Sequence, residues 1–181
     1  MFEIRRATPS DAQTAFEIRL QAIRHQCIGA YTKEQMLAWT AGAAKDGYDV
    51  LMEKYFYLGC IGGEPVATGM LDLESREIGA IFVLPIFMKQ GIGLKILNHL
   101  EALARDLELE EVNLDATLNA TDFYRRCGYI GDEPAIYHSP SGLQLACVPM
   151  VKGLARSFGH GNRLFLPLHD TFFSVHSSNI V

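Results

Sequence analysis

The chain has 181 residues, of which 49% are hydrophobic and 20% charged, and its formal net charge is -5 at pH 7. This length and composition predict one ordinary globular domain and exclude a disordered or fibrous chain. The acidic balance argues against a nucleic-acid partner, which would require many basic contacts to phosphate groups. A single phosphorylated small molecule is still compatible, because it needs only a local anion site.

Cysteine spacing and the N-terminal composition exclude further classes. The four cysteines, at positions 27, 60, 127 and 147, form no CxxC pair, so we expect reduced, mostly buried thiols and neither a metal site nor a disulfide framework. The N-terminal residues contain no apolar stretch of the signal-peptide kind, and no run approaches the roughly 20 apolar residues that cross a bilayer. We therefore expect a cytoplasmic protein with no membrane partner.

The first half of the chain predicts a strand, two helices and an antiparallel hairpin. The expected bounds are 2–6 for the strand, 12–24 and 32 to about 42 for the helices, and 55–61 and 66–73 for the hairpin strands. Thr32 and Gln35 have the spacing of a capping box that starts the second helix. The helical pair is expected to form a lid. Gly62-Gly63-Glu64-Pro65 predicts the hairpin turn.

The second half alternates strands and helices. The expected elements are a strand over 77–84, a long helix from 91 to about 107, a strand over 111–115, a short helix over 119–126 and a last strand over 143–151. This order predicts a mixed sheet rather than an all-parallel one. We expect the domain to span 1–153, and we assign no role to the aromatic-rich tail 154–181.

Residues 83–94 predict an anion site where a strand turns into a helix. The strand stops at Pro85, and Gly91 and Gly93 lie at the start of the helix. Backbone N–H groups at a helix start have no partner inside the helix, and the helix dipole favours negative charge there, so a pyrophosphate could accept their hydrogen bonds. Lys89 is near enough in sequence to add a positive charge. A tight turn or close helix packing would also require these glycines.

Two other phosphate-binding motifs do not fit this segment. The third glycine of GxGxxG is absent, and no Gly-Lys-Ser/Thr sequence completes a Walker pattern. The sequence therefore predicts neither a Rossmann nor a P-loop protein.

The same segment resembles the signature of the GNAT superfamily of N-acetyltransferases, Arg/Gln-x-x-Gly-x-Gly/Ala after a strand that ends in a Val-x-Pro type sequence. Here the signature falls on Met88-Lys89-Gln90-Gly91-Ile92-Gly93. A second run, from Leu114 to Tyr129, is similar to the family's following strand and its Asn-Ala, Phe-Tyr and Gly-Phe/Tyr elements. Two motifs in the right order are more specific than either alone, and the resemblance covers roughly residues 2–152.

The resemblance implies an α/β (α+β) domain of GNAT type. Its mixed, mainly antiparallel sheet would have six or seven strands flanked by about four helices, with a V-shaped opening for acetyl-CoA between strands 77–84 and 111–115. The implied cofactor contacts are Ile81 and Val83 for the pantetheine arm, the amide of Phe82 or its neighbour for the thioester carbonyl, Met88, Lys89, Gln90, Gly91, Ile92, Gly93 and Leu94 for the pyrophosphate, Asn119 for the pantetheine, and Tyr124 near the sulfur.

The implied reaction is direct transfer of acetyl from acetyl-CoA to a primary amine in a ternary complex. Tyr124 would be the acid that protonates the departing thiolate, and a structural tyrosine is the alternative. The amine must be neutral before it attacks, so a base is needed near the strand that holds the carbonyl. Glu77 is the first candidate for this base and Asp72 the second. A solvated residue at a strand start is the alternative for Glu77.

The acceptor is not identified by the sequence. Tyr31, Trp39 and Asp72 are candidate substrate-binding residues, although large aromatic side chains on an amphipathic helix are also typical of a core. A small-molecule or peptide amine is expected, and a homodimer is common among similar proteins. Met88 departs from the usual Arg or Gln and predicts weaker cofactor binding. Met88 therefore leaves open an alternative function, an acyl-CoA-binding or sensing module with weak or no catalysis. A second alternative is an interaction protein that keeps the fold but binds no CoA.

Overall fold

The protein is described by a computed structural model over residues 1–41, 48–138 and 142–154. In these ranges the strands are β1 (Phe2–Arg6), β2 (Phe56–Ile61), β3 (Glu64–Asp72), β4 (Glu77–Val83), β5 (Glu111–Thr117), β6 (Ala135–His138) and β7 (Gln144–Gly153). The α-helices are α1 (Ala12–Gln26), α2 (Lys33–Trp39), α3 (Tyr48–Tyr55), α4 (Ile92–Asp106) and α5 (Thr121–Arg126). Short 3-10 helices cover Pro9–Asp11 and Pro85–Phe87.

The seven strands form one sheet in the order β1-β2-β3-β4-β5-β7-β6. Neighbouring strands are antiparallel except β4 and β5, which are parallel. Both of these strands lie in the described part of the chain, and their pairing is confined to Glu77 and Asn113. Beyond Glu77 they leave an opening in the sheet. The predicted mixed, mainly antiparallel sheet of six or seven strands is confirmed.

Helices cover both faces of the sheet. On one face, here called the α4 face, Ile96 of α4 and Leu114 of β5 belong to the largest hydrophobic core, against which α5 also packs. On the opposite α1 face, Ala15 of α1 and Met52 of α3 pack against Phe56 of β2. α1, α3 and α4 each bury apolar side chains against the sheet, and the strong amphipathic pattern of α4 determines the face that it buries.

Two glycines of the sheet let α4 lie unusually close to it. A Cβ atom at Gly69 would collide with Ile96, and one at Gly59 would lie 2.9 Å from the Phe2 ring and 3.0 Å from the Ile96 Cδ1 atom. Larger residues at these positions would push the helix away from the sheet. The close contact fixes the height of α4 on the sheet, and with it the position of the helix N-terminus beside the end of β4.

The structure corrects several sequence predictions. Tyr55 does not open a strand but ends α3, a helix that was not predicted because its eight residues carry only a weak apolar period. The four-residue β6 was also missed, because it is held by its ladder with β7 rather than by its own pattern. The described residues thus contain five α-helices, where about four were expected. The helix predicted over 119–126 begins at Thr121, because β5 pairs with β7 as far as Thr117.

Other predicted features are confirmed. The Gln35 amide donates to the Thr32 hydroxyl at 3.1 Å, and the Thr32 amide donates to the Gln35 side chain at 3.0 Å, as a capping box requires. The four cysteines are free thiols, and three of them are buried. Among the described residues, no helix has both the length and the apolar character to cross a membrane.

The ends of the predicted domain and lid lie partly outside the described residues. Leu154, which was assigned to the tail, is 5% exposed, and its amide donates to the Glu110 carbonyl at 2.7 Å. The rest of the predicted tail, 155–181, and the end of the predicted lid, 42–47, are not among the residues that the structure describes.

Candidate active site

β4 carries a bulge at Ala80. Thr68 pairs with Phe82, and Met70 pairs with Gly79, so β4 has one residue more than β3 between these two pairs. Ala80 has a φ of 49°, in the left-handed region, and its carbonyl oxygen accepts a hydrogen bond of 2.6 Å from the Thr68 hydroxyl. A bulge bends its strand and re-aims the residues that follow it. The bulge was not predicted, because alanine is not a residue type that favours the left-handed region.

The bulge changes which side chains of β4 reach each face. Ile78 and Ile81 both pack into the core of the α4 face, although residues three apart on a regular strand point to opposite faces. Phe82 then packs on the α1 face, against the cluster that contains Ile23 and Tyr31. The predicted cofactor residues of β4 therefore lie just past the bulge, along the strand that borders the opening.

The chain between β4 and α4 turns twice through the left-handed region. Lys89 has a φ of 60° and Gly91 a φ of 75°, and both residues are exposed. The α4 ladder starts with the Lys95 amide, which donates to the Gly91 carbonyl at 3.0 Å. The preceding N–H groups of the helix, those of residues 92–94, have no acceptor within it. Such a turn followed by a helix N-terminus forms an anion-binding hollow.

The two glycines of this turn are required for different reasons. A Cβ atom at Gly91 would meet nothing within 4 Å, but the positive φ strains any other residue there. A Cβ atom at Gly93 would lie 3.8 Å from Val83 and 4.0 Å from Ile81, which are ordinary contacts. Close helix packing therefore does not require glycine at position 93. The predicted phosphate contact of the Gly93 backbone is compatible with this geometry.

Side chains around the turn brace it. The Gln90 side chain donates to the Ile86 carbonyl at 3.1 Å, and Met88 packs partly buried against the core of the α4 face. Met88, which stands where Arg or Gln was expected, thus contributes apolar contact rather than a polar group. The exposed Leu94 lies at the outer side of the helix start, 42% accessible to solvent.

Tyr124 and Asn119 lie on either side of the start of α5. The Tyr124 ring packs at 5.0 Å from Phe123 and 5.6 Å from Tyr129, and burial raises its pKa well above the usual range for a phenol. The exposed Asn119 accepts a hydrogen bond at 3.4 Å from Cys27 at the end of α1. Burial raises the pKa of the Cys27 thiol to about 11, so it is a neutral donor. This link across the opening was not predicted.

Glu77 opens β4 at the point where the opening begins. It is paired with Asp72 on β3 and Asn113 on β5. Burial, and then the charges of Asp115 and Asp72, raise the pKa of Glu77 to about 7. Asp72 itself is 4% exposed and accepts a hydrogen bond of 2.9 Å from the Glu74 amide, so it closes the turn between β3 and β4.

Asp115 was missed by the sequence analysis, although a signal for it existed. Val112, Leu114 and Ala116 are buried on the α4 face, and the alternation of β5 therefore places Asp115 on the α1 face. That is the face on which the Asp115 charge acts on Glu77. In a strand with alternating apolar residues, a polar residue between them is expected on the opposite face of the sheet. In β5 this rule places Asp115 on the face of the candidate base, Glu77.

Tyr31 and Trp39 are core residues of the α1 face. They are 9% and 5% exposed, and their rings are 5.4 Å apart. The Tyr31 hydroxyl donates to the Ala146 carbonyl at 2.7 Å and accepts from the Leu118 amide at 3.1 Å. Tyr31 thereby joins the α1–α2 connection to β7 and to the loop after β5. It also borders a cavity of about 500 Å³ between α1 and α2.

Solved structures support the fold assignment. A GCN5-related N-acetyltransferase from Rhodopseudomonas palustris matches with a TM-score of 0.77 at 24% identity, over 84% of this chain and 95% of that one. The PaiA N-acetyltransferase from Thermoplasma acidophilum, in complex with coenzyme A, matches at 0.64 with 15% identity over 84% and 99%. The ribosomal-protein-S18-alanine N-acetyltransferase from Escherichia coli matches at 0.60 with 19% identity over 92% and 100%. At these identities the likeness establishes the fold.

Sequence comparison identifies the family. No curated protein sequence matches the chain significantly. The family model described as "Acetyltransferase (GNAT) family" matches residues 19–129, more than half of the chain. This range includes the β4 bulge, the double left-handed turn and the start of α5. On this match and the shared fold, the chain belongs to the GNAT acetyltransferase family.

Proposed function

We propose that the protein is an acetyl-CoA-dependent N-acetyltransferase that acts on the primary amine of a small-molecule or peptide acceptor in a ternary complex. The observation that carries this proposal is the Ala80 bulge, three residues past the last pairing of β4 with β5 and on the strand that leads to the α4 turn. Family membership supports acyl transfer. The relative from T. acidophilum, solved with coenzyme A, supports CoA as the acyl carrier.

The proposed cofactor contacts follow the border of the opening. Past Glu77, the backbone of Ile81 and Val83 would pair with the pantetheine arm, and the Phe82 amide or its neighbour would polarise the thioester carbonyl. The turn and helix start from Met88 to Leu94 would hold the pyrophosphate through backbone N–H groups. Asn119, across the opening, would hydrogen-bond the pantetheine.

In the proposed step, the amine nitrogen attacks the thioester carbonyl carbon, a C–N bond forms and the C–S bond breaks. Glu77 accepts the proton that the nitrogen loses, directly or through a water molecule, and Tyr124 gives a proton to the departing sulfur. A base with a pKa near 7 is suited to neutral pH, and a phenol with a raised pKa stays protonated until the sulfur needs its proton. Positioning of the two substrates and backbone hydrogen bonds to the oxyanion supply the remaining rate acceleration.

The first test is the melting temperature with and without acetyl-CoA. A ligand that binds the native state stabilises it by about 2.7 kcal/mol at one hundred times its Kd. The wild type should therefore melt higher with acetyl-CoA, and Gly91→Glu should not, because its carboxylate would occupy the anion hollow. Gly91→Ala is the control: it carries the same backbone strain without the charge, and should retain part of the rise.

The second test is release of free thiol from acetyl-CoA in the presence of a panel of amines. Thiol release that depends on the amine supports the transferase. A rise in melting temperature without turnover on any amine would favour the acyl-CoA-binding module. Absence of any rise at millimolar acetyl-CoA would contradict the proposal and leave the likeness as one of fold.

A further inference from the structure

Arg19 on α1 is a half-buried cation without a hydrogen bond or an ion pair to any residue that the structure describes. Its guanidinium lies 5.9 Å from the centre of the Phe16 ring, and burial lowers its pKa. A guanidinium removed from water without an anionic partner costs free energy, and it keeps its charge because its pKa lies far above neutrality. Such a group in a native structure calls for a partner, and the described residues do not supply one.

The position of Arg19 on the helix directs it toward the β4 bulge. Ala15 and Ile23, one turn before it and one turn after it, share its face of α1. Ala15 belongs to the cluster against which Ala80 packs, and Ile23 to the cluster against which Phe82 packs. Arg19 therefore lies between the cluster that includes Ala80 and the cluster that includes Phe82. This position is beside the bulge and on the same face of the sheet as Glu77.

A second polar group in this region has no hydrogen-bond partner among the described residues. The Tyr137 hydroxyl of β6 is buried and has no hydrogen bond to the residues in the described ranges. Burial and the charges of Glu77 and Asp115 raise its pKa, while the charge of Arg19 lowers it. The hydroxyl is thus within electrostatic reach of both carboxylates and of the guanidinium. A buried hydroxyl left unsatisfied costs about 1–3 kcal/mol, which a bound polar molecule would recover.

We infer that the acceptor is a small amine that also carries a carboxylate, with Arg19 as the residue that binds the carboxylate and Tyr137 as a further polar contact. This inference rests on the proposed function. Planar guanidinium and carboxylate groups form paired hydrogen bonds, so Arg19 is matched to this anion in geometry as well as in charge. The amine of the same molecule would then be directed toward Glu77. A polyamine has no group to pair with Arg19 and would meet its positive charge.

The test compares each amino acid with an analogue that keeps the amine but lacks the negative charge of the carboxylate. L-alanine is compared with ethylamine, and L-phenylalanine with both 2-phenylethylamine and L-phenylalanine methyl ester, by thiol release from acetyl-CoA. The wild type and Arg19→Gln are measured with every compound, so that the intrinsic reactivity of each amine cancels in the ratio. Arg24→Gln is the matched control, because Arg24 is an exposed arginine on the same helix.

We expect Arg19→Gln to lower kcat/KM for the amino acids about 100-fold, mainly through KM, and to change the uncharged analogues less than about threefold. Arg24→Gln should leave the ratio unchanged. Arg19→Lys, which keeps the charge without the planar fork, should recover part of the preference. If Arg19→Gln does not fold, the test is whether the wild type has a higher kcat/KM for L-phenylalanine than for L-phenylalanine methyl ester.

Two results would overturn the inference while leaving the proposed function in place. One is a wild type that acetylates the amines without a carboxylate as well as the amino acids. The other is an equal loss of kcat/KM in Arg19→Gln for the amino acids and for the amines without a carboxylate, which would assign Arg19 a structural role. Failure of acetyl-CoA to raise the melting temperature of the same wild-type sample is a different result, because it would remove the proposed function and the inference with it.

Discussion

The Thr68 hydroxyl donates a hydrogen bond of 2.6 Å to the carbonyl oxygen of Ala80, the bulged residue of β4. Thr68 is 1% exposed, so this carbonyl is satisfied from inside the sheet rather than by water. The left-handed conformation of Ala80 is unfavourable for a residue with a side chain. The hydrogen bond from Thr68 offsets part of that cost and so supports the bulge that borders the candidate active site.

Replacement of Thr68 by valine tests the importance of the bulge. Thr68→Val keeps the shape but leaves the Ala80 carbonyl without its donor, so we expect a loss of about 1–3 kcal/mol in unfolding free energy. The proposed thioester contact follows the bulge, so kcat should also fall. Chemical denaturation and thiol release measure the two effects. Thr68→Ser restores the hydroxyl and should restore both; wild-type turnover in Thr68→Val would disconnect the bulge from catalysis.

Gly93→Ala tests whether glycine at this position is required for folding stability or for acetyl-CoA binding. The new Cβ atom would make only ordinary contacts with Val83 and Ile81, and alanine favours a helix over glycine by up to about 1 kcal/mol. The melting temperature without ligand should therefore be unchanged or higher. Acetyl-CoA affinity, measured by calorimetry, should fall, because the proposed pyrophosphate contact needs close approach to the backbone at this position. Gly153→Ala, where the Cβ atom meets nothing within 4 Å, is the control and should bind normally.

The raised pKa of Glu77 predicts how activity depends on pH. A base must be deprotonated, so kcat/KM should fall as the pH drops below about 7, the pKa of this carboxyl. Asp115→Asn removes a neighbouring negative charge and should move this acidic limb to lower pH. Glu77→Gln should lower kcat and abolish the limb. A limb that keeps its position in Asp115→Asn would assign it to another group.

The same carboxyl predicts a pH-dependent stability difference. Its pKa rises on folding from 4.5 to about 7, so between these values the folded chain binds more protons than the unfolded chain, and stability falls as the pH rises. Glu77→Gln removes this penalty. From pH 5 to pH 8 the variant should gain about 1–3 kcal/mol of unfolding free energy relative to the wild type. Urea denaturation at both pH values measures it, and a difference that does not change with pH would contradict the burial of this charge.

Tyr124→Phe tests the proposed acid. Loss of a general acid typically costs about 100-fold or more in rate, whereas the phenylalanine ring keeps the packing against Phe123 and Tyr129. We therefore expect kcat to fall about 100-fold with little change in the Kd for acetyl-CoA. Tyr129→Phe removes a neighbouring hydroxyl and should leave kcat near the wild-type value. An unchanged kcat in Tyr124→Phe would exclude the acid role.

The sequence by itself determined the order of the main elements and the place of the turn before α4. These depend on local patterns: the apolar period of α4, the capping box at Thr32, and two glycines after a strand that ends at Pro85. Local patterns fail where an element is short. α3 packs against Phe56 and β6 pairs with β7, and neither contact can be recognised from the few residues of the element itself.

Only the tertiary structure decided what surrounds the candidate catalytic residues. The bulge at Ala80 depends on Thr68 across the ladder, and the pKa of Glu77 depends on Asp115 from another strand. The lack of a partner for Arg19 among the described residues could be recognised only after the helix was placed on the sheet. Burial and charge act through space, so a linear pattern that identifies a family cannot fix the pKa of Glu77 or the surroundings of Arg19.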